Sequence, residues 1–544
     1  MNRRSLIFLF LLATVMLYGQ ARQTAPAFSV VEATIPEMQT AMEQGRVTSR
    51  ELVRQYLARI ERYDSKLHAA IAVNRDALKE AEERDRERAA GKVRGPLHGI
   101  PIALKDIIHT TNMPTTGGAL AFRGFVPPYE ATLTKNLREA GAVIIAKTSL
   151  TELANWVAGP PTPMPTNYNA VTGQGINPYD PAVPPGGSSS GIGTAVNLWT
   201  ANVGTETSGS ILNPASRTML AAIKPTVGRV SRYGVIPITG DQDTPGPMAK
   251  TITDAAIMLG AMESQPPDPN DEATRMCAPP PNRDYRRFLN ANGLRNARIG
   301  IPRAFFYDPV TLPGRPIASG GGLNPEQMRI MTEAIAVLKQ QGATIVDPAD
   351  IPAVVEENPA SNFAVWDICN GAINGKRDDM KCSVVLKYGM KRDFNHWLST
   401  LGPYAPVKTL TELRQWNRSH ENEGAIKFGQ SNLDISDEID VAADRARYEG
   451  DRAKDIELAG THGIDEVMKA YKLDALLFPG PNGAAIAARP GYPTVIVPFG
   501  VIANTSSPFG ISFTGMACSE PRLIELGYAF EQATKRRVPP PSFP

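Results

Sequence analysis

Residues 132–147, TLTKNLREAGAVIIAK, contain the signal that decides the fold. The residues up to Ala140 have helical spacing, and Gly141 is typical of the residue that follows a helix. The apolar, β-branched run from Val143 to Ala146 then predicts a buried strand. A helix that runs directly into a buried strand is the repeating unit of a sheet covered by helices. The stretch therefore predicts an α/β fold.

The same pattern recurs later in the chain. Residues 137–144, LREAGAVI, are echoed by residues 338–345, LKQQGATI, and the second copy follows a helix-start signal at Asn324 and Pro325. Two copies are too few for a solenoid, so they predict two helix-to-strand joints of one sheet. Capping-box spacings predict helix starts at Thr48 with Glu51 and at Ser149 with Glu152. Further strands are predicted at 100–104, 299–301, 475–478 and 494–497, and a last helix at 523–532.

The composition is that of a folded globular protein. The 544 residues are 42% hydrophobic and 21% charged. Lysine and arginine number 57 against 55 aspartate and glutamate, a formal charge of +2, and no dense basic stripe with interleaved aromatic residues is present. Because nucleic-acid binding depends on such a stripe, we expect no nucleic-acid partner.

The N-terminus predicts an export signal. Arg3 and Arg4 precede an apolar run from Leu6 to Tyr18, and small residues surround Ala21. The run is too short to cross a bilayer comfortably. We therefore expect cleavage of residues 1–21, a periplasmic or secreted mature protein, and no membrane span after removal of the signal. The four cysteines form no C-x-x-C motif and predict no metal site, but an even number is able to pair in an oxidising compartment.

The remaining chain, residues 22–544, is predicted to be a single domain, because the alternating pattern continues on both sides of a Pro-rich surface linker at 265–282. A second stretch rich in Pro, Gly and Asn, residues 159–187, predicts a long ordered loop, and such loops are commonly functional. A less regular stretch that could cover a pocket contains Trp366, Trp397 and Trp416.

Two clusters rich in Gly and Ser are the candidates for chemistry: residues 186–191, GGSSSG, and residues 204–210, GTETSGS. The first fits the G-x-S-x-G nucleophile elbow, with Ser189 as nucleophile. The Pro-rich residues before it are incompatible with the central strand that an elbow follows. Of the histidines that follow the cluster, none stands in a recognisable catalytic setting. An α/β-hydrolase esterase that uses Ser189 and His462 remains the alternative hypothesis.

With histidine scarce, a buried lysine is the next available base. Lys105 ends the apolar run 99–104, GIPIAL, which places it at the end of a strand. Desolvation lowers the pKa of a buried ammonium, and the neutral amine is able to accept a proton from a serine. A lysine at a strand end is more often a solvated surface residue, so Lys105 alone is weak support.

Lys105 and the two Gly- and Ser-rich clusters together are a more specific signal than any one of them alone. GIPIALKD at 99–106, PGGSSSG at 185–191 and GTETSGSILNPAS at 204–216 resemble the three catalytic stretches of the amidase signature family. The similarity continues through 224–228 and 242–247, extends from about Thr48 to the C-terminus, and is densest in a catalytic core at about 95–260. Within that family the sequence looks most like the bacterial peptide amidases.

The resemblance implies a fold and a site. The fold would be a large mixed β-sheet flanked by helices on both faces. Lys105 would be the base, Ser188 a bridging serine that enters through a cis peptide bond, and Ser210 the acylating nucleophile. Ser189 would support this relay, and no metal or organic cofactor would be needed. The oxyanion hole would consist of the backbone N–H groups of Thr207, Ser208, Gly209 and Ser210.

Two departures from the family pattern bear on these roles. The segment between Ser188 and Ser210 is shorter than in most members, which leaves Ser189 as an alternative bridging serine. Leu212 stands where many members carry arginine, so Glu206 needs another partner.

The leading hypothesis is an exported serine amidohydrolase that cleaves carboxamides through a Ser-Ser-Lys relay and an acyl-enzyme. C-terminal peptide amides and aryl amides are its candidate substrates, so the expected partner is a small-molecule or peptide amide. A component of an amidotransferase that works on charged tRNA is a further alternative, against which the export signal and the near-neutral charge speak. A non-catalytic binding protein would require the set Lys105, Ser188 and Ser210 to occur by chance.

Overall fold

The computed structural model describes residues 28–315, 319–378, 380–503 and 505–544. The predicted export signal, residues 1–21, lies outside this part of the chain. In the described ranges, no helix is both long enough and apolar enough to cross a bilayer. Fifteen strands are present there: β1 Ala70–Val73, β2 Pro101–Lys105, β3 Val143–Thr148, β4 Tyr168–Asn169, β5 Gly173–Gln174, β6 Asn202–Glu206, β7 Ala221–Lys224, β8 Thr244–Ala249, β9 Arg298–Gly300, β10 Val310–Thr311, β11 Ser319–Gly320, β12 Thr344–Val346, β13 Ala475–Pro479, β14 Thr494–Ile502 and β15 Ser507–Thr514.

Eleven of these strands form one sheet in the order β1-β3-β2-β6-β8-β7-β14-β15-β13-β9-β12. The pairs β3–β2, β2–β6, β13–β9 and β9–β12 are parallel, and the other neighbours are antiparallel. The sheet is therefore mixed. Three neighbouring strands towards one side of the sheet, β3, β2 and β6, are fully buried, since every one of their residues is inaccessible to solvent or nearly so. The predicted fold class, a large mixed sheet with helices, is confirmed.

Both copies of the repeated pattern are helix-to-strand joints of this sheet, as predicted. The first copy joins the helix Thr132–Glu139 to β3, the neighbour of the edge strand β1, and the second joins the helix Pro325–Gln340 to β12, the edge strand on the opposite side. The glycines that separate helix from strand, Gly141 and Gly342, both have positive φ. A Cβ at Gly141 would also lie 2.8 Å from the His98 Cα, so this joint requires glycine.

The helix starts predicted at Thr48 and at Asn324 are confirmed. Thr48 accepts a hydrogen bond from the Glu51 N–H and caps the helix Ser49–Leu67. The predicted start at Ser149 is wrong, because Leu153 and Ala154 adopt left-handed φ/ψ and form a short turn instead. The longer helices are Ile35–Glu43, Ser49–Leu67, Ala77–Ala89, Thr132–Glu139, Ile252–Met262, Pro325–Gln340, Val385–Thr400, Leu410–Ser419, Ser431–Asp437, Arg445–Ile456 and Glu520–Thr534.

The shorter helical segments lie mainly in the connections. They are Glu152–Asn155, Ile192–Ala195, Leu212–Arg217, Pro352–Val355, Gly371–Asn374, Asp465–Ala470, Ala484–Ala488 and the π-helix Glu457–Ile464.

Strands from both sides of the Pro-rich stretch 265–282 belong to the same sheet, β1–β3 and β6–β8 before it and five further strands after it. The stretch contains only short 3₁₀ turns. A disulfide between Cys277 and Cys518 joins it to the residues that precede the helix Glu520–Thr534, and a second disulfide joins Cys369 to Cys382. The linker is thus held to the rest of the fold at its middle.

Candidate active site

The carboxyl ends of two neighbouring parallel strands bring the candidate residues together. β2 and β6 pair in parallel, with Ala103 opposite Asn202 and Leu104 opposite Val203. The ends of parallel strands meet at one edge of a sheet, which is where ligands bind in open α/β sheets. Lys105, the last residue of β2, therefore lies beside Thr205 and the loop 207–210 that follows β6.

Lys105 is completely buried and contacts only neutral groups. Its Nζ lies 2.7 Å from the Ser188 Oγ, 2.9 Å from the Thr205 Oγ1 and 3.4 Å from the Thr205 carbonyl oxygen. No carboxylate of the described residues is within ion-pair distance of this nitrogen. Burial lowers the pKa of Lys105 to about 7, although Asp243 and Glu206 oppose the shift. The Lys105 amine is therefore neutral in a large fraction of the molecules near pH 7.

The contacts of Lys105 suit a neutral amine that serves as a base. Such an amine has two N–H bonds and one lone pair. The carbonyl oxygen and the hydroxyl oxygen of Thr205 are both able to accept an N–H bond from Nζ. In that protonation state the lone pair is left for the third neighbour, Ser188, whose O–H is able to donate to it; in the charged state Nζ donates to the Ser188 Oγ.

Ser188 and Ser189 have different surroundings, which bears on the choice between them. The peptide bond between Gly187 and Ser188 is cis. Ser188 Oγ contacts Lys105, whereas Ser189 Oγ donates to the Thr205 carbonyl and accepts from the Thr205 N–H, both at 3.0 Å. The Ser189 N–H also donates to the carbonyl of Ser210. Ser188 is thus the serine whose hydroxyl contacts Lys105, and Ser189 bonds to the residues at either end of the loop, Thr205 and Ser210.

Ser210 ends this loop at the surface of the site. Ser208 is exposed, and Gly209 and Ser210 are partly exposed, whereas Glu206 before them is buried. Gly209 has a φ of +88°, a backbone conformation that residues other than glycine rarely adopt. None of the N–H groups of residues 207–210 donates to another residue in the described part of the chain. These free donors next to a serine hydroxyl are able to stabilise a developing oxyanion.

Glu206 has no arginine partner at position 212, where Leu212 stands, and its carboxylate bonds to backbone N–H groups instead. Its Oε2 accepts hydrogen bonds from the N–H groups of Ile211 at 2.8 Å and Leu212 at 3.0 Å. The carboxylate therefore bridges the loop 207–210 from one end to the other. Although Leu212 stands where many family members have arginine, the loop is still held, by the Glu206 carboxylate and the backbone of Ile211 and Leu212.

A cavity of about 190 Å³ lies beside the end of β6 and the start of the loop 207–210. Thr205, Thr207 and Asp243 are among its lining residues, whereas Lys105, Ser188 and Ser210 are not. Its other walls are largely apolar and aromatic, with Tyr129 and Tyr233 stacked at a centroid separation of 5.0 Å. The remaining apolar lining includes Ile107, Ala154, Val235, Ile236, Pro237, Ile238, Pro245 and Trp397.

The sequence identified this cavity only in part. Of the three tryptophans, Trp397 lines it, but Trp366 and Trp416 do not, and residues 159–185 contribute nothing to its lining. The lining of this cavity therefore gives no support to a functional role for the predicted long loop at 159–187. Tyr129 and Tyr233 were missed, because they are distant in sequence and no local pattern distinguishes them from core residues. Asp243 had a usable signal, since it belongs to the stretch 242–247 that carried the resemblance.

The geometry does not support the esterase hypothesis. Ser189 is completely buried, and its hydroxyl is engaged by the backbone of Thr205. His462 lies in the π-helix Glu457–Ile464, partly exposed, and its Nδ1 is 2.7 Å from the Glu466 carboxylate. The two side chains form no contact, so they do not constitute a nucleophile and its base.

Comparison with known proteins identifies the family. The sequence profile of the family described as Amidase matches residues 51–421. The chain belongs to the amidase signature family. It is 35% identical over 537 residues to a probable amidase from Arabidopsis thaliana, with 97% of this chain and 95% of that protein covered. It is also 33% identical over 520 residues to a putative amidase from Arthroderma benhamiae, with 92% of this chain and 81% of that protein covered.

A solved structure extends the similarity to three dimensions. The native peptide amidase from Stenotrophomonas maltophilia is similar with a TM-score of 0.81 and 37% sequence identity, covering 94% of this chain and 98% of that one. The suspected family, with bacterial peptide amidase as a close structural neighbour, is confirmed. The chain is an amidase-family hydrolase, and amide hydrolysis is the chemistry of its site.

Proposed function

We propose that this chain is an exported serine amidohydrolase that cleaves carboxamides with Lys105 as base, Ser188 as bridge and Ser210 as nucleophile. The observation that carries the proposal is the 2.7 Å contact between Lys105 Nζ and Ser188 Oγ, made by a buried lysine without an ion-pair partner in the described ranges. A lysine in this setting is able to take a serine proton near neutral pH.

In the first half-reaction the proton moves inward. Neutral Lys105 accepts the proton of the Ser188 hydroxyl, and Ser188 accepts the proton of Ser210. The Ser210 oxygen forms a bond to the amide carbonyl carbon, and the carbonyl electrons move to its oxygen beside the free N–H groups of residues 207–210. The oxyanion electrons then re-form the carbonyl as the carbon–nitrogen bond breaks; Ser188 gives its proton to the nitrogen and is reprotonated by Lys105, and ammonia or an amine leaves.

In the second half-reaction water takes the place of the amine. The water gives one proton to the same relay and bonds to the carbonyl carbon of the acyl-enzyme. The bond to the Ser210 oxygen then breaks, and the relay returns the proton to Ser210. Each oxyanion donor contributes about 3 kcal/mol in other serine hydrolases, so the four free N–H groups form the main electrostatic element of the site.

The cavity beside Thr205 and Thr207 is the proposed acyl site. Its aromatic and aliphatic walls favour a carboxamide whose acyl part is apolar, by hydrophobic burial and ring contacts. C-terminal peptide amides with apolar last residues and aryl amides both meet this requirement.

The test is a panel of peptide amides, aryl amides and esters assayed with the purified mature protein, with ammonia or amine release as readout. We expect amide turnover that is lost in Ser210→Ala and retained in His462→Ala, a matched control because His462 lies outside the relay. Turnover of esters alone, abolished by His462→Ala, would overturn the proposal.

The export component has separate support and a separate test. Two disulfides, Cys277–Cys518 and Cys369–Cys382, are typical of proteins from oxidising compartments. Cleavage is proposed near Ala21. N-terminal sequencing of protein recovered from outside the cytoplasm should begin after that residue, and an intact Met1 on membrane-embedded protein would contradict export.

A further inference from the structure

The charged groups of the acyl cavity are matched in pairs with one exception. Arg232 forms an ion pair with Asp271 at 2.5 Å. Asp393 is paired with Arg392 at 2.6 Å and also accepts the Gly240 N–H. The third carboxylate of the lining, Asp243, has no ion pair within the described part of the chain.

Asp243 is held by neutral donors in a fixed position. Its Oδ1 accepts from the Thr207 hydroxyl, and its Oδ2 accepts from the N–H groups of Ile238 at 2.8 Å and Thr239 at 3.0 Å. It is partly open to solvent and lines the cavity next to Thr207, whose N–H is a proposed oxyanion donor. A carboxylate held in this way presents its negative charge to whatever occupies the cavity.

We propose that Asp243 is a specificity-determining residue that makes the cavity select neutral or cationic acyl groups and reject anionic ones. The inference rests on the proposed function, because it takes the cavity to hold the acyl part of the substrate. Like charges a few ångströms apart repel strongly where water is largely excluded, and a negative acyl group would meet no free cation among the described residues that line the cavity.

The charge on Asp243 depends on pH, and titratable groups of both signs lie around it. Burial raises the pKa of Asp243 to about 6, against the opposing hydrogen bonds from Thr207 and the backbone and the charge of Arg232. The other titratable groups that face it are Lys105 from β2, Asp271 beside Arg232, and Asp393 and His396 from the helix Val385–Thr400. Selection against anions should therefore weaken as the pH falls through about 6.

The experiment compares two substrates that react at the same group. The α-amides of N-acetylmethionine and N-acetylglutamic acid have side chains of similar length, neutral in the first and anionic above about pH 5 in the second. The ratio of their kcat/KM values cancels the titration of Lys105, which both substrates require. At pH 8 we expect the neutral amide to be favoured about tenfold or more. The ratio should fall as the pH is lowered to 5.

Asp243→Asn supplies the second readout, since it keeps the shape and most contacts but removes the charge. At pH 8 we expect a ratio several-fold lower in this variant than in the unmodified protein, with a smaller change between pH 8 and pH 5. Glu449→Gln, which removes one negative charge from an exposed helix position, is the matched control and should leave the ratio of the unmodified protein unchanged.

The outcomes distinguish failure of the proposed role of Asp243 from failure of the proposed function. A ratio that does not change with pH in the unmodified protein overturns the role of Asp243 while amide hydrolysis stands, and this measurement needs no variant to fold. An equal ratio in the unmodified protein and in Asp243→Asn overturns it as well. Hydrolysis of neither amide, nor of any amide in the wider panel, would instead be a failure of the proposed function.

Discussion

Two completely buried lysines on adjacent strands, Lys105 on β2 and Lys147 on β3, have opposite surroundings. Lys147 Nζ lies 3.2 Å from the Asp106 carboxylate and donates to the Thr115 hydroxyl at 2.7 Å. Lys105 Nζ lies among hydroxyl and carbonyl oxygens only. In the strand register Lys105 is opposite Thr148, so Lys147 is directed to the other face of the sheet.

The difference shows how one carboxylate separates a structural lysine from a reactive one. Burial lowers the pKa of both lysines, and for Lys147 the charge of Asp106 opposes that shift at close range. A charged lysine has no lone pair to offer, whereas a neutral one is a base. In the proposed mechanism the site obtains its base because Lys105 is buried without an ion-pair partner in the described part of the chain and contacts Ser188.

The largest expected effect is the loss of turnover when the relay is broken. Lys105→Met, Ser188→Ala and Ser210→Ala should each reduce kcat/KM by about a thousandfold or more. Combined changes should add little, because once one link is missing the others have no proton to pass on. Single-turnover amide hydrolysis measures this, and losses that multiply in Lys105→Met/Ser188→Ala would show that the two residues act independently.

The two lysines should differ most in what they contribute to stability. Lys147→Met leaves Asp106 buried without its partner and should lower the free energy of unfolding by about 3 kcal/mol or more. Lys105→Met removes a group that is costly to charge in the folded state, so its stability at pH 7 should be unchanged or higher. Urea unfolding at pH 7 compares them, with Lys147→Met/Asp106→Asn as the partly restored control. Equal destabilisation by both single changes would mean that Lys105 is also held as an ion.

A smaller effect is expected at Thr205, whose two oxygens surround Lys105 Nζ. Thr205→Val removes the hydroxyl acceptor and should reduce kcat about tenfold with little change in KM, whereas Thr205→Ser should restore most of the rate. Because the lost hydrogen bond also favoured the ammonium form, the acid limb of the pH profile should move to lower pH in Thr205→Val. A lower rate with an unmoved limb would indicate only a packing role.

The smallest expected effect is that of a chelator. The proposed relay moves protons between three side chains of the chain itself, so treatment with EDTA should leave kcat unchanged. A loss of activity on chelation that zinc restores would contradict the mechanism.

Much of this site could be predicted from the sequence, because its main residues lie in short local patterns. Lys105 follows an apolar strand, and Ser188 and Ser210 lie in Gly-rich clusters, so their resemblance to family motifs was enough to name them together. The choice between Ser188 and Ser189 could not be made locally, since it depends on which hydroxyl faces Lys105 and which faces the backbone of Thr205.

The cavity was beyond prediction for a different reason. Tyr129 and Tyr233 stack across a long separation in sequence, and only the folded chain shows that they form one wall. The turn at 152–155 was also unpredictable, because Leu153 and Ala154 adopt a left-handed conformation that no local propensity favours. Tertiary packing decides both features.

The most direct test of the central claim is to map covalent labelling by a fluorophosphonate as a function of pH. The account predicts one label, on Ser210, at a rate that rises through about pH 7 as Lys105 loses its proton. Ser188→Ala should still be labelled, slowly, because the nucleophile and its oxyanion donors remain, and Ser210→Ala should not be labelled at all. A label on Ser189, or a labelling rate independent of pH between 5 and 9, would contradict the claim that a buried neutral lysine activates Ser210 through Ser188.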